Sequence, residues 1–155
     1  MYKVSIVVPI FGVEKYIERC ARSLFEQTYD KIEFIFVNDG TKDRSMEILE
    51  SLIDEKFSHL KERIVIINKE NGGLPSARKA GLECAEGEYV LFADSDDWLD
   101  TNAVAKVMTV AERTGAALAL YADEQKRARL VRKIMETDFS WSVSAKRYLQ
   151  LYSSL

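Results

Sequence analysis

Along residues 1–121 the apolar pattern changes period again and again. Val4–Val8, Ile32–Val37, 63–67 and Tyr89–Ala93 are short, nearly continuous apolar runs, the kind that suits strands buried on both faces of a parallel sheet. Between them, apolar residues recur at helical spacing. Val13, Ile17, Cys20, Ala21, Leu24 and Phe25 make one stripe, opposite Glu14, Lys15, Glu18, Arg19 and Arg22. Met46, Leu49, Leu52, Ile53 and Phe57 make a second, with Thr41 or Asp43 as its cap. Pro9 and Gly12 close the first run, and Asn38-Asp39-Gly40 closes the second. A helix over 76–85 ending near Gly87, a helix from Asp100 or Thr101 to Arg113 stopped by Gly115, and a fifth strand over 116–121 complete the pattern. Strands and helices alternating across short links predict an α/β fold. Its form is a three-layer α/β/α sandwich around a mainly parallel, doubly wound sheet.

With 155 residues, 47% of them hydrophobic, the chain has the apolar mass for one domain, and its 2 cysteines exclude a disulfide scaffold. Cys20 and Cys84 both fall in predicted helices and read as small buried residues with reduced thiols, which suits the cytoplasm. The net charge of −3 gives no field for nucleic acid. It is uneven: residues 1–121 hold 15 basic and 21 acidic residues, and 122–155 hold 7 and 4. The chain therefore divides into a 1–121 unit and a basic, mostly helical 122–155 tail, with helices over 126–135 and 144–151. Lys126, Arg127, Arg129, Arg132 and Lys133 offer a contact to an anionic membrane or partner, although a solvated helix face is the plainer account. No apolar run nears the ~20 residues of a membrane helix, and the first residues lack the basic region and cleavage site of a signal peptide.

Ligands of open α/β sheets sit beyond the carboxyl ends of strands, where strand order reverses. This chain puts Asp39, the Asn71-Gly72-Gly73 loop and Asp94-Ser95-Asp96-Asp97 at such ends. Turn and cap chemistry offers a plainer role for each. The last cluster is harder to explain that way, because three carboxylates within four residues repel one another. Strand alternation would place Asp94 and Asp96 on one side, ~7 Å apart if fully extended. A divalent cation held by one or both carboxylates and by phosphate oxygens relieves the repulsion, and hard oxygen ligands favour Mg²⁺ or Mn²⁺. Leu99 and Ala105 occupy the positions where an EF-hand needs glycine and an acid. There is no P-loop and no G-x-G-x-x-G after the first strand. The only histidine, His59, reads as a surface residue, which argues against a Ser-His-Asp triad or a zinc site.

Four stretches together resemble the N-terminal half of the inverting family 2 glycosyltransferases, whose Rossmann-like GT-A domain binds nucleotide-diphospho-sugars. They are Ser5-Ile6-Val7-Val8-Pro9-Ile10-Phe11, Val37-Asn38-Asp39-Gly40-Thr41-Lys42-Asp43, Asn71-Gly72-Gly73-Leu74-Pro75-Ser76-Ala77-Arg78 and Gly87-Glu88-Tyr89-Val90-Leu91-Phe92-Ala93-Asp94-Ser95-Asp96-Asp97-Trp98. The resemblance implies a nucleotide site of Pro9, Phe11, Asp39, Arg78, Asp94 and Ser95. Within it Phe11 flanks the base, Asp39 accepts a hydrogen bond from it (most naturally uracil N3–H), and Arg78 contacts phosphate or ribose. Asp94 lies near ribose and sugar, Asp96 is the main ligand of Mg²⁺ or Mn²⁺ with Asp94 beside it, and Trp98 lines the sugar pocket or packs under its loop. The implied partners are a nucleotide-sugar donor, with UDP as the expected carrier, and a saccharide or lipid-linked acceptor, with peripheral membrane association and a homo-oligomer as further expectations and no nucleic acid. Gly12 and Lys79 stand where the family commonly carries Asn. The catalytic base is unknown: among the acids from Asp123 onward, none lies in a recognisable motif. The expectation is a donor-binding half that transfers sugar poorly by itself. Two alternatives are a binding-only module and a metal-dependent phosphatase with Asp94 as nucleophile and Asp96 as acid. Against the latter, the acids follow the fourth strand rather than the first.

Overall fold

A computed structural model describes residues 2–114. Four strands, β1 (Val4–Ile10), β2 (Ile32–Asp39), β3 (Ile64–Lys69) and β4 (Tyr89–Phe92), form one wholly parallel sheet in the order β3-β2-β1-β4. The helices are α1 (Ile17–Phe25), α2 (Ser45–Lys56), α3 (Leu74–Cys84) and α4 (Ala103–Thr114), with a 3₁₀ segment over Ser58–Arg63. The first two crossovers step from β1 outward to β3, and the third returns across the sheet to β4. Right-handed connections then send α3 to the opposite face.

Side-chain alternation on the strands shows the two layers. Val4, Ile6, Val8 and Ile10 of β1, with Ile32, Phe34 and Phe36 of β2, pack with Ile17, Leu24, Leu49, Val104 and Met108 of α1, α2 and α4. Val7, Ile35 and Val37 face the other way, against Ala77 of α3. Small residues let α3 lie close. A Cβ at Gly81 would stand 2.3 Å from Val7 Cγ1 and 3.1 Å from Val37 Cγ2. Gly81→Val should therefore cost about 1–3 kcal/mol through overpacking, read as a lower urea midpoint. An unchanged midpoint would show that α3 can slide away at no cost.

Several boundaries differ from expectation. β1 continues through Pro9, which pairs with Val37, because the ladder to β4 stops at Val7 and leaves one flank of Pro9 without a partner strand. β2 runs on to Asp39. α1 begins at Ile17 after a turn in which the N–H groups of Tyr16 and Ile17 donate to the Val13 carbonyl. The 3₁₀ segment takes Arg63 from the expected third strand, and α3 starts at Leu74, with Pro75 in its first turn, where a missing N–H is harmless. Cys20 is buried as expected, but Cys84 is exposed. The inner line of α3 runs Ala77, Gly81 and on to half-buried Ala85, leaving Cys84 beside it in solvent. The fifth strand over 116–121 and the 122–155 tail lie outside the described residues.

Candidate active site

Strand order reverses between β1 and β4, so the crevice beyond their carboxyl ends is the ligand position for this topology. Phe11, immediately after β1, and Asp94, just past β4, stand on its two sides. Asp39 ends the neighbouring β2.

Asp39 caps no helix; it locks a loop. Its buried Oδ1 accepts hydrogen bonds from Lys69 Nζ at 2.6 Å and the Gly72 N–H at 3.0 Å, and Oδ2 accepts the Gly73 N–H at 2.8 Å. Burial pushes the carboxyl up, but Lys69 and the two amides outweigh it and hold the group below the ordinary aspartate value. Gly40 closes the same junction: with φ of +69°, it brings its α-carbon so near the Asn71 loop that a Cβ would lie 2.9 Å from Asn71 N. Lys69 was not legible as a partner of Asp39. The two are opposite each other in the β2–β3 register, which only the paired sheet shows.

The acidic cluster is a turn rather than extended strand. β4 ends at Phe92, the Ala93 N–H makes the last bond to Val7, and the Asp97 N–H donates to the Asp94 carbonyl at 3.1 Å. The spacing expected from strand alternation does not apply to Asp94 and Asp96, because the chain folds back between them. Arg78 Nη2, from α3, donates to Asp94 Oδ1 at 2.8 Å. Asp96 and Asp97 are exposed and form no ion pair among the described residues, while Ser95 is buried. Repulsion within the cluster is thus relieved partly by solvent and partly by Arg78. Beneath the turn, Cys20 Sγ approaches the Asp94 carbonyl at 3.6 Å. Burial, with Asp97, Asp96 and Asp94 adding to it, pushes this thiol up to about 12, so it is a packed group and not a nucleophile.

Pro9 is buried within β1, and Phe11 is 57% exposed at the strand's end. Trp98 does not pack under the loop. It is 55% exposed, with the Arg19 guanidinium 3.2 Å over its ring. His59 lies in the 3₁₀ segment. No three Asp, Glu, His or Cys side chains converge on a metal position among the described residues. The donor set still fits Mg²⁺ or Mn²⁺, which commonly rest on one or two carboxylates and complete their shell with phosphate oxygens and water.

The sequence pattern offers Asp43 as a cap of the second helix. Its carboxylate in fact joins two loops. Oδ2 accepts the Glu14 N–H at 2.9 Å, and Oδ1 accepts the Thr41 hydroxyl at 2.8 Å, the Ser45 hydroxyl at 2.6 Å and the Ser45 N–H at 3.1 Å. Burial raises the group, yet the hydroxyls of Ser45 and Thr41 and the two amides prevail, bringing it down to about 2.

A parallel, doubly wound sheet with an aromatic and an acidic turn at its switch point defines the class: a Rossmann-like GT-A domain. The model of glycosyl transferase family 2 matches residues 5–151, and the chain belongs to that family. Glycosyltransferase GlyA of Streptococcus pneumoniae is 43% identical over 102 residues, 66% of this chain and 14% of that protein. Uncharacterized glycosyltransferase EpsJ of Bacillus subtilis is 44% identical over 110 residues, 71% of this chain and 30% of that one. The chain therefore spans less than a third of either relative. Among solved structures, S. aureus TarS in complex with UDP superposes with a TM-score of 0.63 at 30% identity, over 72% of this chain and 32% of TarS. The mannosyltransferase PcManGT from Pyrobaculum calidifontis, in complex with GDP-Man and Mn²⁺, shares the fold with a TM-score of 0.65 at 22% identity, over 71% of this chain and 32% of its own.

Proposed function

We propose that this domain binds a UDP-sugar with Mg²⁺ or Mn²⁺ for inverting glycosyl transfer to a saccharide or lipid-linked acceptor. The observation that carries the reading is the division of charge in the turn at the switch point: Arg78 occupies Asp94, while Asp96 is exposed without an ion pair among the described residues. That arrangement suits Asp96 as the main metal ligand and Asp94 as a group oriented by Arg78 toward ribose and sugar. Family membership and the UDP and UDP-GlcNAc complexes of TarS support the choice of donor.

The remaining roles follow from the loops. Phe11 flanks the base. Asp39 Oδ2 accepts one amide and retains a lone pair for uracil N3–H. Pro9 and Ser95, both buried, fix the strand end and the acidic turn on which the contacting groups stand. Arg78, held against Asp94, brings positive charge beside the diphosphate. A bound divalent ion supplies Lewis-acid stabilisation of the leaving diphosphate. We place the reaction in the cytoplasm, at the inner membrane face. No helix among the described residues is long and apolar enough to cross a membrane. Contact of the 126–133 basic cluster with lipid, and a homo-oligomer, belong to the same proposal.

Calorimetric titration of UDP with and without Mn²⁺ tests the reading. Mn²⁺ should tighten UDP binding to the 155-residue chain, and Asp96→Ala should remove at least a tenfold enhancement, about 1.4 kcal/mol. Equal enhancement in the variant would overturn the metal assignment. No UDP binding by the wild-type chain would overturn the donor.

A further inference from the structure

We propose that Asp43 is a positioning residue for the nucleotide site: with Thr41 and Ser45 it fixes the backbone of residues 12–14, and thereby the Phe11 ring, against the strand end that carries Asp39. This rests on the nucleotide reading above and assigns a residue that touches no ligand in it.

Three consecutive amides of the β1–α1 loop are held from the β2–α2 loop and from Ser45, the first residue of α2. The Gly12 N–H donates to Thr41 Oγ1 at 2.9 Å, the Val13 N–H to Ser45 Oγ at 3.1 Å, and the Glu14 N–H to Asp43 Oδ2 at 2.9 Å. The tie is reciprocal, since Glu14 Oε2 accepts the Arg44 N–H at 3.1 Å. Both hydroxyls in turn donate to Asp43 Oδ1, so one carboxylate orients every side-chain acceptor that the three amides use. Beyond these ties, the C-terminal part of the loop is seated by Val13, which packs against the core and whose carbonyl accepts the Tyr16 and Ile17 N–H groups, so the residues next to Phe11 depend most on the Asp43 cluster. No side chain caps α1 at Tyr16, and a Cβ at Gly12 would meet nothing within 4 Å. Phe11 is 57% exposed, so core packing does not set its direction. Its aim follows from the backbone beside it.

A carboxylate is required because all four donors to Asp43 need acceptors. An asparagine would turn an NH₂ toward one of those donors and lose at least one of the bonds. The depressed pKa agrees, since it keeps the group charged at any working pH. The strand end just before this loop reaches the other side of the site: Asp39, the last residue of β2 and four residues before Asp43, holds Gly72 and Gly73. The end of β2 therefore ties down the loops on both of its flanks.

The test is a double-mutant cycle read by UDP titration of the 155-residue chain, with Mn²⁺-pyrophosphate as a second probe. Asp43→Asn should weaken UDP about tenfold, and Thr41→Val, which frees only the Gly12 amide, about threefold. In a Phe11→Ala background neither substitution should cost more than twofold, because the ring they aim is gone. Binding of Mn²⁺-pyrophosphate, which reads the Asp96 side, should stay within twofold of wild type throughout. A merely structural role would weaken both probes and ignore the Phe11 background. If Asp43→Asn fails to fold, Thr41→Val carries the same cycle. Variants that bind UDP like wild type, or losses that persist unchanged without Phe11, overturn the proposal while leaving the nucleotide reading standing. A wild-type chain that binds no UDP overturns both.

Discussion

Glu33→Ala should lower folding stability by about 3 kcal/mol, measured by urea unfolding. Glu33 is 6% exposed on β2, at the sheet end opposite the candidate site. It accepts hydrogen bonds from the Ser5 hydroxyl, from Lys3 Nζ at 2.6 Å, and from the N–H groups of Glu86 at 2.7 Å and Gly87 at 3.2 Å. Ser5 Oγ accepts the Gly87 N–H as well, at 2.8 Å. One carboxylate thus joins β2, β1 and the segment that leads into β4. A Cβ at Gly87 would come within 2.5 Å of Ser5 Oγ, so the chain enters β4 through a gap only glycine fits. Truncation would strand the buried Ser5 hydroxyl and the part-buried Glu86 amide at about 1–3 kcal/mol each when neither finds water, while the Gly87 N–H keeps Ser5 Oγ and Lys3 is partly rescued by its exposure. Glu33→Gln, which keeps one acceptor oxygen, should recover part of the loss.

The pH dependence has a definite sign. Burial raises the Glu33 carboxyl, but Lys3, Ser5 and the Glu86 amide outweigh it and the folded group titrates below its ordinary value. Its contribution is therefore present above the unfolded pKa of about 4.3 and is lost as pH falls through the folded one. The acid limb of the wild-type stability profile should be steeper than that of Glu33→Ala. A loss below 1 kcal/mol, or superimposable acid limbs, would show that the network adds nothing to the sheet.

What the sequence displayed and what it concealed divide along a physical line. The strands announced themselves because continuous runs such as Val4–Val8 are buried on both faces, and the helices because stripes such as Ile17, Cys20 and Leu24 follow one period. Strand order was not visible in any run. It decides which loops meet, and so which of Phe11, Asp39 and Asp94 share a crevice. Partners across long separations were equally hidden: Lys69 for Asp39, Arg78 for Asp94, and the Gly12 and Glu14 amides for Thr41 and Asp43. Pairings like these depend on register and loop approach, on which hydrophobic period is silent. The acidic turn is visible in its composition but its geometry is not, because a run of aspartates after a strand carries no sign of where pairing stops.

Asp39→Ala should reduce UDP affinity by about a hundredfold, about 2.7 kcal/mol, the largest loss expected for any single side chain of the site. Two effects combine. The charged acceptor for the base disappears, which by itself is worth about 1.5–3 kcal/mol. The loop also loses its anchor, because the Gly72 and Gly73 amides and Lys69 Nζ all end on this carboxylate. The Lys69→Met variant separates the two effects. It removes one donor to Asp39 but leaves the carboxylate and both amide bonds, so it should weaken UDP far less than Asp39→Ala does. Mn²⁺-pyrophosphate supplies the second comparison. A base-reading Asp39 has its effect on UDP and little on pyrophosphate, whereas a pure loop anchor that also sets α3, and through it Arg78 beside Asp94, would weaken both ligands alike. Equal losses for the two ligands would reassign Asp39 from base recognition to loop support.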